Sequence, residues 1–427
     1  MSSRLLVLSN GHGEDLIALR VIEALVKRGG CPPIAVLPLV GEGEVFGPAS
    51  RNGSLELVGA RQKLPSGGFS NQSLGGLGRD LAAGLPLLSW RQWQLVRRWG
   101  KTGNPVLAVG DLWPLLLASL SGAPFGFIGT PKSDYTWASA PPQGWGRSTW
   151  ADAYHRCKGS EWDPWEWALM GQRRCRLVAV RDGLTARGLR RHRLNALAPG
   201  NPMMDGFAAI PLPDWLRGQR RILMLPGSRM PEALGNASRL LAALKLLPEL
   251  PAPTTVLVAC GSQPDAPAWA SLLQQAGWRQ GANDSRGSDN LLQQSIWELP
   301  RPRAPLQLVL GPGCFNHWAP WAELGLATAG TATEQLVGLG VPVLSLPGPG
   351  PQFKAPFARR QSRLLGGAVL PCHGSRELAE RLALLMAEPA LCQQLGNRGR
   401  QRMGGPGGSA QLAGLVAERL LASDRLG

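Results

Sequence analysis

Short apolar runs recur along the chain, each followed by turn residues and often by a stretch with helical spacing. In the first half they cover residues 5–8, 34–37, 55–58 (interrupted by Glu56), 106–109, 125–128 and 177–180. In the second half they cover residues 222–225, 256–259, 306–310, 324–327 and 343–346. The runs are mostly continuous rather than alternating, as in parallel strands covered on both faces. Strands alternating with helices build a doubly wound sheet. The series breaks at Pro211-Leu212-Pro213-Asp214. The expected fold class is therefore α/β, with two Rossmann-like doubly wound domains and the cleft between them as the site. The domains span residues 1–210 and 211–403, and residues 404–427 form a Gly-rich turn and a helix that can pack back across the boundary. No fixed-period repeat of the solenoid kind is present. Residues 284–290, just after Gly277 and Gly281, read as a surface loop.

The bulk properties agree with this division. A length of 427 residues suits two domains, and the 55 Gly and 37 Pro supply the turns that strand–loop–helix units need. The formal charge of +16 favours anionic partners: phosphates, acidic lipid or nucleic acid. No nucleic-acid recognition module is apparent, so nucleic acid is not expected. The seven Cys contain no C-x-x-C pair, which argues for a reducing compartment and against structural disulfides or zinc. Cys314 and His317 have ligand-like spacing, but no second pair completes a site, so no metal is expected. Residues 5–8 are too short for a signal-peptide core. Residues 112–131 carry no charge but contain Pro114, Gly122, Pro124, Gly126 and Gly129, and read as a buried helix and strand rather than a membrane span.

Two glycine-centred loops carry the chemistry: Leu225-Pro226-Gly227-Ser228-Arg229 and Gly330-Thr331-Ala332-Thr333-Glu334-Gln335. Each follows an apolar run and precedes a helical pattern. A strand ending in a Gly turn that opens a helix exposes N–H groups, and the helix dipole favours an anion there. Gly allows close approach to a phosphate, and Ser or Thr adds hydroxyl donors. Two such loops suit a diphosphate, most simply that of a nucleotide-sugar; the alternative is two ordinary strand-to-helix turns.

These motifs resemble those of lipid-A-disaccharide synthase and its relatives, glycosyltransferases of the two-Rossmann-domain, GT-B type. Leu225–Arg229 followed by Glu232 is similar to that family's L-P-G-S-R-x-x-E. Gly200-Asn201-Pro202-Met203-Met204-Asp205 resembles its G-H-P-hydrophobic-hydrophobic-D, with Asn201 in place of His. Gly330-Thr331-Ala332 resembles its donor-side G-T-A. Order and rough spacing agree over about residues 170–350. The chain departs at Gln335, where the family has Glu, with Glu334 one place earlier. It departs again at residues 346–353, which include Gln352 and lack the aromatic-basic pattern. The first loop, Ser9-Asn10-Gly11-His12-Gly13-Glu14-Asp15, stands where the synthase has a Gly-Glu-Ser-Gly-Asp-like run. The chain thus resembles the divergent synthase-related group, with donor sugar and acceptor left open.

The resemblance implies metal-independent, inverting attack by an acceptor hydroxyl on the anomeric carbon of a UDP-sugar, through an oxocarbenium-like transition state. The UDP-sugar is a co-substrate, and no other cofactor is implied. No D-x-D sequence is present, so leaving-group charge falls to Arg229, whose planar fork suits phosphate, and to loop N–H groups. The donor set in the second domain is Gly227, Ser228, Arg229, Glu232, Gly330, Thr331, Ala332, Thr333, Glu334, Gln335 and Gln352, with Glu334 placed to reach a ribose hydroxyl. The first domain takes the acceptor, with Asn10, Gly11, Gly13 and Asn201 around it. Candidate bases are Asp111, His12 and Asp15. Each also has a structural reading: a helix N-cap for Asp111, a backbone-bonded loop residue for His12, and a first-turn acid for Asp15. Rival readings are a UDP-sugar 2-epimerase, which shares the fold, and a catalytically silent binder of nucleotide-sugar or membrane.

From residue 51 to residue 101 Arg51, Arg61, Lys63, Arg79, Arg91, Arg97, Arg98 and Lys101 face only Glu56 and Asp80. Helical spacing places Trp90, Trp93 and Val96 near one face, with Arg91 and Arg98 roughly opposite. Trp90, Trp93 and Trp99 beside Arg91, Arg97 and Arg98 suit an interfacial helix on an anionic membrane; the alternative is a surface helix packed on its own domain. The first of these readings implies a lipid-linked acceptor and a cytoplasmic protein held peripherally at the inner face of a membrane. Trp137, Trp145, Trp150, Trp162, Trp165 and Trp167 lie in a Pro/Gly-rich connection that reads as an ordered local core, or as a cover for an acyl chain or sugar ring.

Overall fold

The computed structural model describes residues 4–62, 80–146, 149–207, 209–250, 252–261, 263–281, 295–302, 305–348, 350 and 353–422; of His12 and Thr149 it describes the backbone alone. The surface loop expected at residues 284–290 and the candidate Gln352 lie outside the described residues. The chain forms two compact units: residues Met1–Asp134, Thr149–Asp205 and Gly405–Gly427, and residues Tyr135–Ser148 with Gly206–Gly404.

The first unit holds a seven-stranded sheet: β1 (Leu5–Ser9), β2 (Ile34–Pro38), β3 (Glu56–Leu57), β4 (Val106–Gly110), β5 (Phe125–Gly129), β6 (Cys175–Val180) and β7 (Ala196–Leu197). Its order is β3-β2-β1-β4-β5-β6-β7, and every pairing is parallel. β1 is buried throughout, with Leu5 and Val7 in one core and Leu6 and Leu8 in the other. Alternate residues thus face two covered layers, and the sheet is doubly wound. Helix α1 (His12–Arg28) covers the first face through Ile17, Val21 and Leu25. The opposite face is covered by α2 (Leu85–Gly100) and α3 (Leu112–Leu120), through Val96, Leu115 and Leu117. The uncharged stretch of residues 112–131 is α3 followed by β5, as its Pro and Gly positions predict.

The second unit has an eight-stranded sheet: β8 (Arg220–Leu225), β9 (Thr254–Cys260), β10 (Arg279–Gln280), β11 (Ser295–Leu299), β12 (Leu306–Pro312), β13 (Leu324–Ala327), β14 (Val343–Ser345) and β15 (Val369–Pro371). Its order is β10-β11-β12-β9-β8-β13-β14-β15. The sheet is parallel except at one edge, where β11 runs antiparallel to both β10 and β12. The sequence pattern does not single out this edge, because the apolar residues of β11, Ile296, Trp297 and Leu299, are interrupted by Glu298. Residues 135–148 belong to this unit. The guanidinium of Arg363, only 4% exposed, donates to the carbonyls of Ser139 (2.9 Å) and Trp137 (2.5 Å). Trp145 donates to the Pro371 carbonyl and stacks on His373 at 4.4 Å.

The Trp-rich connection is thus divided. Trp137 and Trp145 lie in the second unit, and Trp162 is a fully buried core residue of the first. Trp150 and Trp165 are exposed. Helix α2 is rotated from the expected arrangement. Its buried line is Leu88, Gln92 and Val96, while Trp93 and Trp99 pack against the sheet beside it. Gln92 occupies a core position because its amide donates to the carbonyls of Leu39 (3.1 Å) and Ala60 (3.3 Å). A buried amide so bonded carries little penalty. Of the three Trp, Trp90 alone is exposed, alongside Leu87, Arg91, Arg97 and Arg98.

Helix α4 (Gly408–Val416) packs on α1 in the first unit through Leu412, Ala413 and Val416. The Asp205 carboxylate accepts the backbone N–H groups of Gly407 and Ser409, the latter at 2.7 Å, and so holds the helix start. A Cβ at Gly408 would lie 2.6 Å from the backbone of Asn201. That contact cannot relax by a side-chain movement. Gly408→Ala is expected to cost roughly 1–3 kcal/mol, as overpacking does elsewhere. Denaturant melts read this as a lower midpoint, and an unchanged midpoint contradicts the clasp.

Candidate functional site

In each parallel sheet the chain leaves the first strand in one direction and later returns to its other side. The carboxyl ends of the strands flanking that point diverge, and ligands of open α/β sheets sit there. In the first unit this point lies between β1 and β4. Asn10 follows β1 and Asp111 follows β4; Asn10 Nδ2 donates to Asp111 Oδ1 at 2.8 Å. Their approach depends on Gly110, at φ 135°, where a Cβ would come within 2.9 Å of Asn10 Cβ and 3.5 Å of Glu14 Cγ. Asp111 is also the N-cap of α3, its Oδ1 accepting the Trp113 N–H at 3.1 Å. The structural reading of Asp111 is therefore realised at the same place as the candidate chemistry.

Three carboxyl groups gather at this end of the sheet. Asp15 Oδ1 accepts from Ser9 Oγ (2.5 Å) and from the Gly11 N–H (3.1 Å), bracing the turn at Asn10 and Gly11; Gly13 lies in the first turn of α1. Burial raises Asp15 to about 6, against those two hydrogen bonds. Asp111 is also raised by burial, opposed by the Trp113 N–H, the Lys132 charge and Asn10. Glu14 accepts from Thr130 Oγ1 at 3.3 Å and is partly exposed. Burial, reinforced by the neighbouring Asp111 charge, pushes Glu14 up to about 7. His12 opens α1, and its side chain lies outside the described residues. Lys132, beyond β5, is anchored by the fully buried Glu166 at 2.5 Å and lies over the Trp162 ring. Asn201 is buried and caps the turn Pro202–Met204 by accepting the Met203 N–H at 3.1 Å. Asn201 also lines a hollow of about 20 Å³ with Ile17 and Thr130.

In the second unit the switch point lies between β8 and β13. The two glycine-centred loops are therefore neighbours. Thr328 ties them, its N–H donating to Leu225 O (3.0 Å) and its hydroxyl to Pro226 O (2.9 Å). Asn236 Nδ2 donates to the same Pro226 carbonyl at 3.2 Å. Gly227 and Arg229 are partly exposed and Ser228 is exposed; burial lowers the Arg229 pKa, opposed by the charge of Glu232. Glu232 opens the helix Glu232–Lys245 and accepts the Phe353 N–H at 3.4 Å. Gly330 is the N-cap of the helix Thr331–Gly338, in whose first turn Glu334 lies. Thr331, Ala332 and Glu334 are partly exposed, whereas Thr333 and Gln335 are buried. The Thr333 hydroxyl donates inward to Ala329 O at 2.7 Å, and Gln361 donates to Gly330 O at 3.1 Å. Thr333 thus shapes the loop from within. The outward groups are Gly227–Arg229 and Gly330–Ala332, with Glu334 beside them.

Glu14, Thr130, Lys132, Thr328 and Gln361 were not among the sequence candidates. Thr130 and Lys132 follow β5 as Asp111 follows β4, so the carboxyl-end rule points to them. Glu14 sits in the loop already singled out, but its environment depends on Gly110 and Thr130, which are distant in sequence.

No protein-family model matches the chain, and no curated protein matches it in sequence. Solved structures do match along its whole length. MurG of Acinetobacter baumannii is 17% identical, covers 97% of this chain and 99% of its own, and has a TM-score of 0.54. The S. aureus MnaA–UDP co-structure is 11% identical, with 100% and 98% covered and a TM-score of 0.55. The UDP-GlcNAc 2-epimerase from Neisseria meningitidis bound to UDP-GlcNAc is 15% identical, with 98% and 99% covered and a TM-score of 0.52. This likeness establishes the fold: two Rossmann-like domains of the GT-B type.

The titration of Glu14 makes a stability prediction. Its pKa rises from 4.5 to about 7 in the fold, so its contribution is fully present below 4.5 and is lost as pH climbs through 7. Glu14→Gln removes that loss. The variant and wild type are expected to unfold together at the acid end. Above neutrality the variant is expected to be the more stable, by at most roughly 3 kcal/mol. Melts across pH measure this, and a difference independent of pH contradicts it.

Proposed function

We propose that the protein is a metal-independent, inverting glycosyltransferase that moves a sugar from a UDP-sugar to a lipid-linked acceptor, as a divergent relative of lipid-A-disaccharide synthase. The observation that carries this reading is the adjacency of the loops after β8 and β13, joined by Thr328 at the switch point of the second sheet. Adjacent loops of this kind, each opening a helix, offer N–H groups to a diphosphate. Arg229 supplies the cation that offsets charge on departing UDP, and Glu334 the acid for a ribose hydroxyl. The carboxyl cluster of the first unit supplies the base for the acceptor hydroxyl. Structural neighbours bound to UDP or UDP-GlcNAc support the donor class.

Neighbours named as 2-epimerases support a second reading, a UDP-sugar 2-epimerase. Product analysis separates the two: a transferase releases UDP, whereas an epimerase returns a UDP-sugar of altered configuration.

The lipid-linked acceptor and a peripheral place at the inner face of a membrane rest on α2. Leu87 and Trp90 are exposed beside Arg91, Arg97 and Arg98, and a hollow of about 520 Å³ is lined in part by Arg91, Arg98 and Trp99. Among the described residues no helix is long and apolar enough to cross a membrane. Each cation near an anionic surface contributes on the order of 1 kcal/mol.

Two outcomes are expected. Calorimetry with UDP in the absence of divalent metal detects binding that Arg229→Ala abolishes; binding that requires metal, or that ignores the substitution, contradicts the donor reading. Vesicles rich in acidic lipid sediment the protein, less so at high salt because screening shortens the reach of the charges. Charge reversal at Arg91, Arg97 and Arg98 weakens sedimentation and leaves UDP affinity intact, and equal sedimentation of both proteins contradicts docking through α2.

A further inference from the structure

We propose that Glu14 is the general base: its carboxylate takes the proton of the acceptor hydroxyl as that oxygen bonds to the anomeric carbon. The bond from that carbon to the UDP oxygen breaks, and its electron pair leaves on the diphosphate. This assignment rests on the transferase reading and deepens it.

The three carboxyl groups of the first unit are committed differently. Asp15 is buried and turned into its own loop, where Ser9 and Gly11 donate to one oxygen. Asp111 holds Asn10 with one oxygen and caps α3 with the same atom, and Lys132 stabilises its charged form. In each, both donors converge on that one oxygen and tie the side chain to its own loop or helix. Glu14 accepts from its own backbone N–H and from the Thr130 hydroxyl at 3.3 Å, and remains partly exposed at the carboxyl end of the sheet.

The charged and titratable groups around Glu14 come from every neighbouring strand end. Asp15 and His12 lie on its own helix. Asp111 comes from the turn after β4, and Lys132 follows β5. From beyond β6, Arg181 reaches the Thr130 carbonyl at 3.5 Å. Burial and the Asp111 charge together put Glu14 at about 7, where a base is both ionised and strong enough to hold a proton at neutral pH. Asp111 is then a positioning residue. It fixes Asn10 and raises the basicity of Glu14.

The test uses the full chain with UDP-GlcNAc and membrane lipid extract, following UDP release across pH. Glu14→Gln is expected to lower turnover by about 100-fold or more with UDP affinity unchanged. Thr130→Val, which removes the hydrogen bond that favours the carboxylate, is expected to move the acid limb of the profile to higher pH. Infrared spectra provide a readout without turnover: the difference between wild type and Glu14→Gln contains a protonated-carboxyl band that is lost as pH rises through about 7. Turnover within a few-fold of wild type in Glu14→Gln, or an acid limb unmoved in Thr130→Val, overturns the assignment and leaves the donor reading standing. Wild-type protein that does not bind UDP overturns the donor reading and this assignment with it.

Discussion

The structure depends on the close approach of two strand-end loops at the switch point of each sheet. In the first unit the joint is Asn10 to Asp111 at 2.8 Å, and in the second it is Thr328 to Pro226 at 2.9 Å. Parallel strands buried on both faces leave their chemistry nowhere else to go. Side chains along β1 and β4 are consumed by the two core layers, so polar groups collect at the strand ends. The joints then decide which polar groups are spent on architecture and which face outward. Gly110 permits the first joint, because a Cβ there would lie 2.9 Å from Asn10 Cβ and 3.2 Å from Pro114 Cγ.

Much of this was legible in the sequence. Continuous apolar runs marked eleven of the strands, from residues 5–8 to residues 343–346, because a strand covered on both faces has no polar side to display. The loops at Gly227 and Gly330 were visible as strand–Gly–helix junctions. Their adjacency was not, since it follows from β13 pairing with β8 across about a hundred intervening residues. The short strands β7, β10 and β15 and the antiparallel edge strand β11 lacked a sufficient apolar run. Helix α2 misled the periodicity because a polar residue, Gln92, occupies its core line. Only the carbonyls of Leu39 and Ala60, both remote in sequence, make that position tolerable.

Residue type alone also ranked the acids differently from their environments. His12 stood out by its ordinary pKa, Asp15 by its place in the first strand–helix loop, and Asp111 by its place after a strand. The fold binds Asp15 and Asp111 into the loop and the helix cap. Burial and the neighbouring Asp111 charge raise the proton affinity of Glu14. The Gly200–Asp205 motif follows the same logic. Its Asp205 holds α4 by two backbone N–H groups, and its Asn201 caps a turn, so these two residues serve the packing of the first unit.

The central claim is that the loops after β8 and β13 cradle a diphosphate through their backbone N–H groups. The most direct measurement is a UDP titration followed by backbone amide resonances in metal-free buffer. Saturable shifts are expected at Gly227, Ser228, Gly330, Thr331 and Ala332, with the amides of β11 and of α2 unmoved. Saturable UDP binding that leaves those five amides in place, or no binding at all, contradicts it.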